Sequence, residues 1–105
     1  TGPHLFSDIG KQKYETLINK TKYHVWSGDC HNYCLVIKGS LDLVVEEGLS
    51  SYDILPLIPI LKSKNIIVSD WKSNEINLKN DLLSKYSVVV ARDKNIYDTA
   101  IKIMN

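Results

Sequence analysis

A chain of 105 residues, 44% hydrophobic and 24% charged with a formal net charge of +1, has room for one modest core and an ordinary globular composition. Near-neutrality excludes an electrostatic footprint for nucleic acid, and Arg92 as the lone arginine leaves little bidentate phosphate recognition to this chain. No apolar run reaches the ~18–20 residues of a membrane span, and Thr1-Gly2-Pro3-His4 has neither the basic nor the apolar region of a signal peptide, so a cytoplasmic chain with no membrane partner is expected.

Thr1 to Phe6 reads as a loop or short strand leading into the domain. Ser7 is placed to cap a helix from Asp8 to about Lys20, with Tyr14, Leu17 and Ile18 on one face. Tyr23-His24-Val25-Trp26 is aromatic and β-branched and is predicted as a strand. Gly28 breaks it, and Asp29 is predicted as the N-cap of a helix from Cys30 to Lys38, whose apolar positions Tyr33, Cys34, Ile37 and Leu41 follow helical spacing. A turn at Lys38-Gly39-Ser40 leads to a strand from Leu41 to Glu46. A tight loop from Glu47 to Ser51 then delivers Tyr52-Asp53.

Leu55 to Leu61 is apolar all round, which predicts a buried helix, yet it carries two prolines. An interior proline costs about 3 kcal/mol, so Pro56 belongs in the first turn and Pro59 at a kink. That puts Tyr52-Asp53 at or just before the helix start. Asn65 to Asp70 is predicted as a buried strand, and Trp71 to Lys85 as a polar loop with a turn near Asp81 to Leu83. Ser87 to Ala91 is a strand. Asp93 caps a last helix with Ile96, Tyr97, Ala100, Ile101 and Met104 on one face. This order of elements predicts an α/β fold, a mixed or parallel sheet layered with helices.

Three polar sites, Gly28-Asp29, Glu46 and Asp53, stand at the ends of apolar elements, where an α/β protein exposes backbone N–H groups and carboxylates to a ligand. On the residues alone, Asp53 is either a ligand or only a helix-cap carboxylate. Glu46 is either a substrate-facing carboxylate or a solvated strand end. Cys30 and Cys34 sit one helical turn apart, a spacing that would strain a disulfide, so reduced core thiols in a cytoplasmic chain are expected. With His24 and His31 they complete no paired metal-ligand pattern, and the three histidines form no nucleophile–base arrangement.

The ordered series Gly28-Asp29-Cys30, Asp42-Leu43-Val44-Val45-Glu46, Gly48-Leu49, Tyr52-Asp53, Leu57-Ile58-Pro59-Ile60 and Val68-Ser69-Asp70-Trp71, with Thr1-Gly2-Pro3 at its start, resembles the C-terminal half of the inositol monophosphatase family. These are Mg²⁺-dependent phosphomonoesterases, and the variant with Asp29, Cys30 and Tyr52 is most similar to the histidinol-phosphatase-like branch. The resemblance covers nearly all of the chain and implies one domain over residues 1–105 with the corresponding fold. It implies that Asp53, after the aromatic Tyr52, is a catalytic carboxylate that ligates Mg²⁺ and meets substrate. Glu46, seven residues earlier, would contact the substrate's hydroxyls or amine, and Gly28, Asp29 and Cys30 would line the pocket. The implied substrate is a small phosphate monoester such as inositol phosphate or histidinol phosphate.

Two departures accompany the resemblance. Ser63-Lys64-Asn65 replaces the family's Ala-Gly-Gly, which puts close backbone packing in question there. The N-terminal half is also missing from these residues, with its Glu and its Asp-Pro-x-Asp-Gly-Thr motif that hold most metal ligands. One carboxylate cannot build a two-metal site. The expectation is therefore the C-terminal portion of a phosphatase, inactive and without tight Mg²⁺ binding by itself, which forms a homodimer or associates with an N-terminal half. The alternative is a degenerate remnant that folds, self-associates and catalyses nothing.

Overall fold

The computed structural model describes residues 3–26 and 28–105; Thr1 and Gly2 of the first motif, and Ser27, lie outside the described residues. A 3₁₀ turn at Pro3–Leu5 takes the place of the loop or short strand predicted there. Ser7 accepts from the Gly10 backbone N–H at 3.0 Å and starts α1, Asp8–Ile18. The helix stops short of Lys20 because Asn19 caps it and the Lys20 and Thr21 N–H groups bond back to Leu17 and Ile18.

Tyr23–Trp26 is not a strand. Its aromatic end packs on α1 instead, with the Tyr14 and Trp26 rings 4.6 Å apart and Phe6 edge-on to them at 5.4 and 6.5 Å. Ring stacking, which composition cannot distinguish from a ladder, fixes this segment.

The second helix, α2, runs Asp29–Lys38 with Gly28 as its N-cap. Asp29 is thus not the cap. It is the first helical residue, at φ 44°, in the left-handed region that aspartate enters more readily than most side chains. The buried stripe of α2 is Asn32, Tyr33 and Val36. Cys34 lies off that stripe, and it and Cys30 are exposed free thiols rather than core residues. Gly39, at φ 82°, ends α2: its N–H reaches the Val36 carbonyl at 3.0 Å and the Ser40 N–H reaches Leu35 at 2.9 Å, a Schellman close.

Strand β1 spans Leu43–Leu49, later at both ends than predicted. The supposed loop residues Glu47-Gly48-Leu49 continue the strand, with the register shifted between Glu46 and Leu49. Gly48 makes this bulge possible at φ 80°, and a Cβ there would stand 2.8 Å from the Leu5 carbonyl oxygen.

The two prolines divide the expected single helix. It becomes α3, Ser51–Ile54, a 3₁₀ turn at Leu55–Leu57, and α4, Ile58–Ser63, with each proline in a first turn where its missing N–H is harmless. Ile54, Ile58 and Leu61 are buried, but Pro56 and Pro59 are exposed and Ile60 is 50% exposed, so the segment is not buried all round. Asn65 adopts φ 61° beyond α4, and its N–H bonds to Lys62. Asparagine, the second choice after glycine for a left-handed helix close, therefore accommodates the Ser63-Lys64-Asn65 departure.

Strand β2 is short, Ile67–Ser69; β3 is Tyr86–Ala91, and α5 is Lys94–Met104, capped by Asp93, which accepts from the Ile96 N–H at 2.9 Å. The sheet order is β1-β3-β2 and both pairings are antiparallel. The layered, helix-covered α/β architecture stands. Like direction survives only between β1 and β2, which flank β3 without touching, because the last strand returns between them. Tyr86, Val88 and Val90 of β3 pack with Tyr33, Val36, Ile54 and Leu61 beneath α2 to α4. Val89 and Ala91 face Phe6, Leu17, Trp71, Tyr97 and Met104 beneath α1 and α5. Burial on both faces explains why β3 reads as an unbroken apolar run.

Candidate active site

Strand alternation turns Val44 and Glu46 to the same side of β1, toward α2, and only 6% and 5% of these residues remain exposed. Glu46 is therefore not a solvated strand end. Tyr33, 2% exposed, meets it from α2, and its hydroxyl donates to Glu46 Oε2 at 2.7 Å. A buried carboxylate is tolerated when hydrogen bonds satisfy it, and bonds to an ionised acceptor are short and strong. Burial, and then the neighbouring Glu46 charge, push the Tyr33 phenol well above its ordinary pKa. The charges of Asp53 and Asp29 act more weakly in the same direction, while Glu46 is the carboxylate bonded to the phenol.

Beyond the bulge β1 ends at Leu49, and Ser50 immediately opens α3, which carries Asp53. The Asp53 Oδ2 accepts from the Ser50 backbone N–H at 2.9 Å, the carboxylate arm of a capping box. The cap role does not preclude a second one, since a carboxylate offers about four lone-pair sites and Asp53 is exposed. Lys85 brings its ammonium to the same helix start, with Nζ 3.0 Å from Ser50 Oγ.

At the head of α2 the Asn32 side chain fills the space where a Cβ on Gly28 would stand. Crowding, not backbone angle, therefore requires glycine at this N-cap. Asp29 follows in the first turn, where the helix dipole favours a negative charge. Cys30 is exposed in that turn. A cleft of about 610 Å³ runs from Tyr23 and Trp26 along β1 to Asn32 and Glu46, a volume suited to a small ligand.

Among the described residues, no three His, Cys, Asp or Glu side chains come together as a metal cluster. Mg²⁺ is commonly held by only one or two protein carboxylates, with waters and substrate phosphate completing its shell. The exposed carboxylate of Asp53 fits one such place. Sequence reasoning missed Tyr33, which it assigned to an apolar helix face, and Asn32. The usable signal was parity: Glu46 shares its face with Val44, so it turns inward and needs a donor.

Several known proteins are similar to this chain. A family model described as "Inositol monophosphatase family" matches residues 2–105. The bifunctional phosphatase IMPL2, chloroplastic, of Arabidopsis thaliana is 31% identical over 105 residues, which cover 97% of this chain and 30% of that protein. A solved inositol monophosphatase from Zymomonas mobilis superposes with a TM-score of 0.88 at 35% identity, over 99% of this chain and 40% of that one. SaIMPase-II, solved with bound inositol monophosphate, gives a TM-score of 0.75 at 15% identity over 97% of this chain and 40% of its own, a likeness of fold alone. The chain thus spans about a third of the curated relative it matches and two fifths of the solved ones.

Proposed function

The chain belongs to the inositol monophosphatase family, and from that premise we propose that it is the C-terminal portion of a Mg²⁺-dependent phosphomonoesterase of the inositol-phosphate or histidinol-phosphate type. In this reading residues 1–105 form one domain that is inactive until another polypeptide region supplies the acidic cluster. The observation that supports it is the family match over residues 2–105, beside a buried Glu46 carboxylate held by the Tyr33 hydroxyl at 2.7 Å and an exposed Asp53 at the start of the next helix. Asp53 contributes one Mg²⁺ ligand. Glu46 receives hydrogen bonds from the alcohol half of the ester, while Gly28, Asp29 and Cys30 shape the wall beside it. Mg²⁺, when bound, stabilises charge on the phosphate and lowers the pKa of water. The chain's own part is to orient the ester and hold acceptors in place.

The partner is either a second copy or the region bearing the acidic cluster. A reducing compartment such as the cytoplasm agrees with two exposed free thiols. No helix among the described residues is long and apolar enough to cross a membrane.

The test is phosphate release from small monoesters, by the chain alone and after addition of a polypeptide carrying the Glu and Asp-Pro-x-Asp-Gly-Thr cluster. The expected result is no release by the chain alone and Mg²⁺-dependent release by the mixture, abolished by EDTA and by Asp53→Asn. A well-folded mixture that releases nothing from any ester points to a non-catalytic domain instead.

A further inference from the structure

Tyr33 is the largest of the fully buried side chains, and its one polar side-chain atom points at Glu46. A phenylalanine would fill the same volume without burying a hydroxyl, so what distinguishes tyrosine here is the bond it makes. Both partners are fixed at the backbone. Tyr33 sits mid-way along α2, and Glu46 is paired with Val88 in the ladder. The hydroxyl is also a neutral donor. Unlike a lysine or arginine, it satisfies a carboxylate oxygen without cancelling the charge.

We infer that Tyr33 is a positioning residue: by holding Oε2 it fixes the Glu46 carboxylate in one orientation as a charged acceptor, and so makes the site favour phosphate esters whose alcohol carries a hydroxyl or ammonium donor. The inference rests on the reading of Glu46 as a substrate contact. The raised phenol pKa agrees with it, since a phenol that keeps its proton can only donate to a carboxylate.

Two measurements test the inference independently. The first uses the isolated chain with ¹³C-labelled glutamate, comparing the mobility of the residue 46 side chain by NMR relaxation in the wild type and in Tyr33→Phe. Position 46 should be rigid in the wild type and measurably more mobile in the variant, with backbone signals elsewhere retained. Equal rigidity in both overturns the inference. If Tyr33→Phe does not fold, the same comparison is made with ¹³C-labelled glutamine between Glu46→Gln and Glu46→Gln/Tyr33→Phe, which lack the buried charge.

The second uses the Mg²⁺-active mixture and compares an amino-alcohol phosphate with an aryl phosphate that has no other donor. Tyr33→Phe should raise KM about tenfold for the first and several-fold less for the second, the scale of one hydrogen bond to a charged group. The effect should vanish in a Glu46→Ala background, where the hydroxyl has no side-chain acceptor to orient. Equal losses on both esters, or a loss that persists in that background, overturns the inference. A wild-type mixture without any activity defeats the phosphatase reading, while the relaxation measurement still decides what Tyr33 does to Glu46.

Discussion

The Tyr33 hydroxyl donates to Glu46 Oε2 at 2.7 Å, joining the middle of α2 to β1 beneath nearly complete burial of both residues. The same bond therefore supports the core and orients the candidate site. Removing the donor with Tyr33→Phe leaves a buried carboxylate oxygen without it, which costs about 1–3 kcal/mol. Urea denaturation should show a lower midpoint with an unchanged slope. A wild-type midpoint would mean that the bond contributes no net stability.

Alkaline pH acts on the same pair. The folded pKa of Tyr33 lies above the unfolded value, so its contribution is complete below about pH 10. Above that, the unfolded chain releases the proton while the native one retains it, and stability falls as pH rises. Unfolding free energies measured across this range should decline more steeply for the wild type than for Tyr33→Phe. Parallel declines would remove Tyr33 as the cause.

Two positive-φ glycines separate backbone strain from crowding. A Cβ on Gly39 would meet nothing within 4 Å, whereas one on Gly48 would face the Leu5 carbonyl at 2.8 Å. Gly39→Ala should cost about 1–2 kcal/mol from its left-handed backbone alone. Gly48→Ala should cost more and push away the chain at Leu5–Phe6. Because Phe6 touches both Trp26 and Trp71, tryptophan emission should shift for Gly48→Ala and not for Gly39→Ala. Equal midpoints and equal spectra would show that the contact at Leu5 is readily relieved.

Association follows from exposed apolar surface. Tyr52 is 78% exposed and Ile60 50%, with Pro56 and Pro59 open between them. Among the described residues β1 also has a neighbour on one side only. Exposed apolar side chains and an open strand edge both seek partners. Sedimentation over a dilution series should reveal a homodimer or larger assembly that dissociates as the chain is diluted. A clean monomer at micromolar concentration that binds no hydrophobic dye would show that this surface needs no cover.

The exposed pair Cys30 and Cys34 should both react with an aromatic disulfide reagent in the native chain. Two thiols per chain should titrate before urea is added, at rates little changed by it. A thiol that appears only on unfolding would contradict the exposed placement on α2.

Local chemistry was legible in the sequence. Ser7 and Asp93 start their helices by bonding N–H groups three residues on, and Gly39 closes α2 through carbonyls of the preceding turn. Each decision involves residues within one helical turn, so the order of residues suffices. The family was legible through the ordered series that contains Asp29, Glu46 and Asp53, and the match over residues 2–105 establishes membership. Tertiary structure alone decided the rest. Tyr33 and Glu46 are 13 residues apart and meet only when α2 lies on the sheet. Tyr23–Trp26 had strand composition, but the rings of Tyr14 and Phe6 were the available partners. The insertion of β3 between β1 and β2 set the strand directions. Periodicity tells which face of an element is apolar; what covers that face is settled by contacts far along the chain, where packing outweighs local propensity.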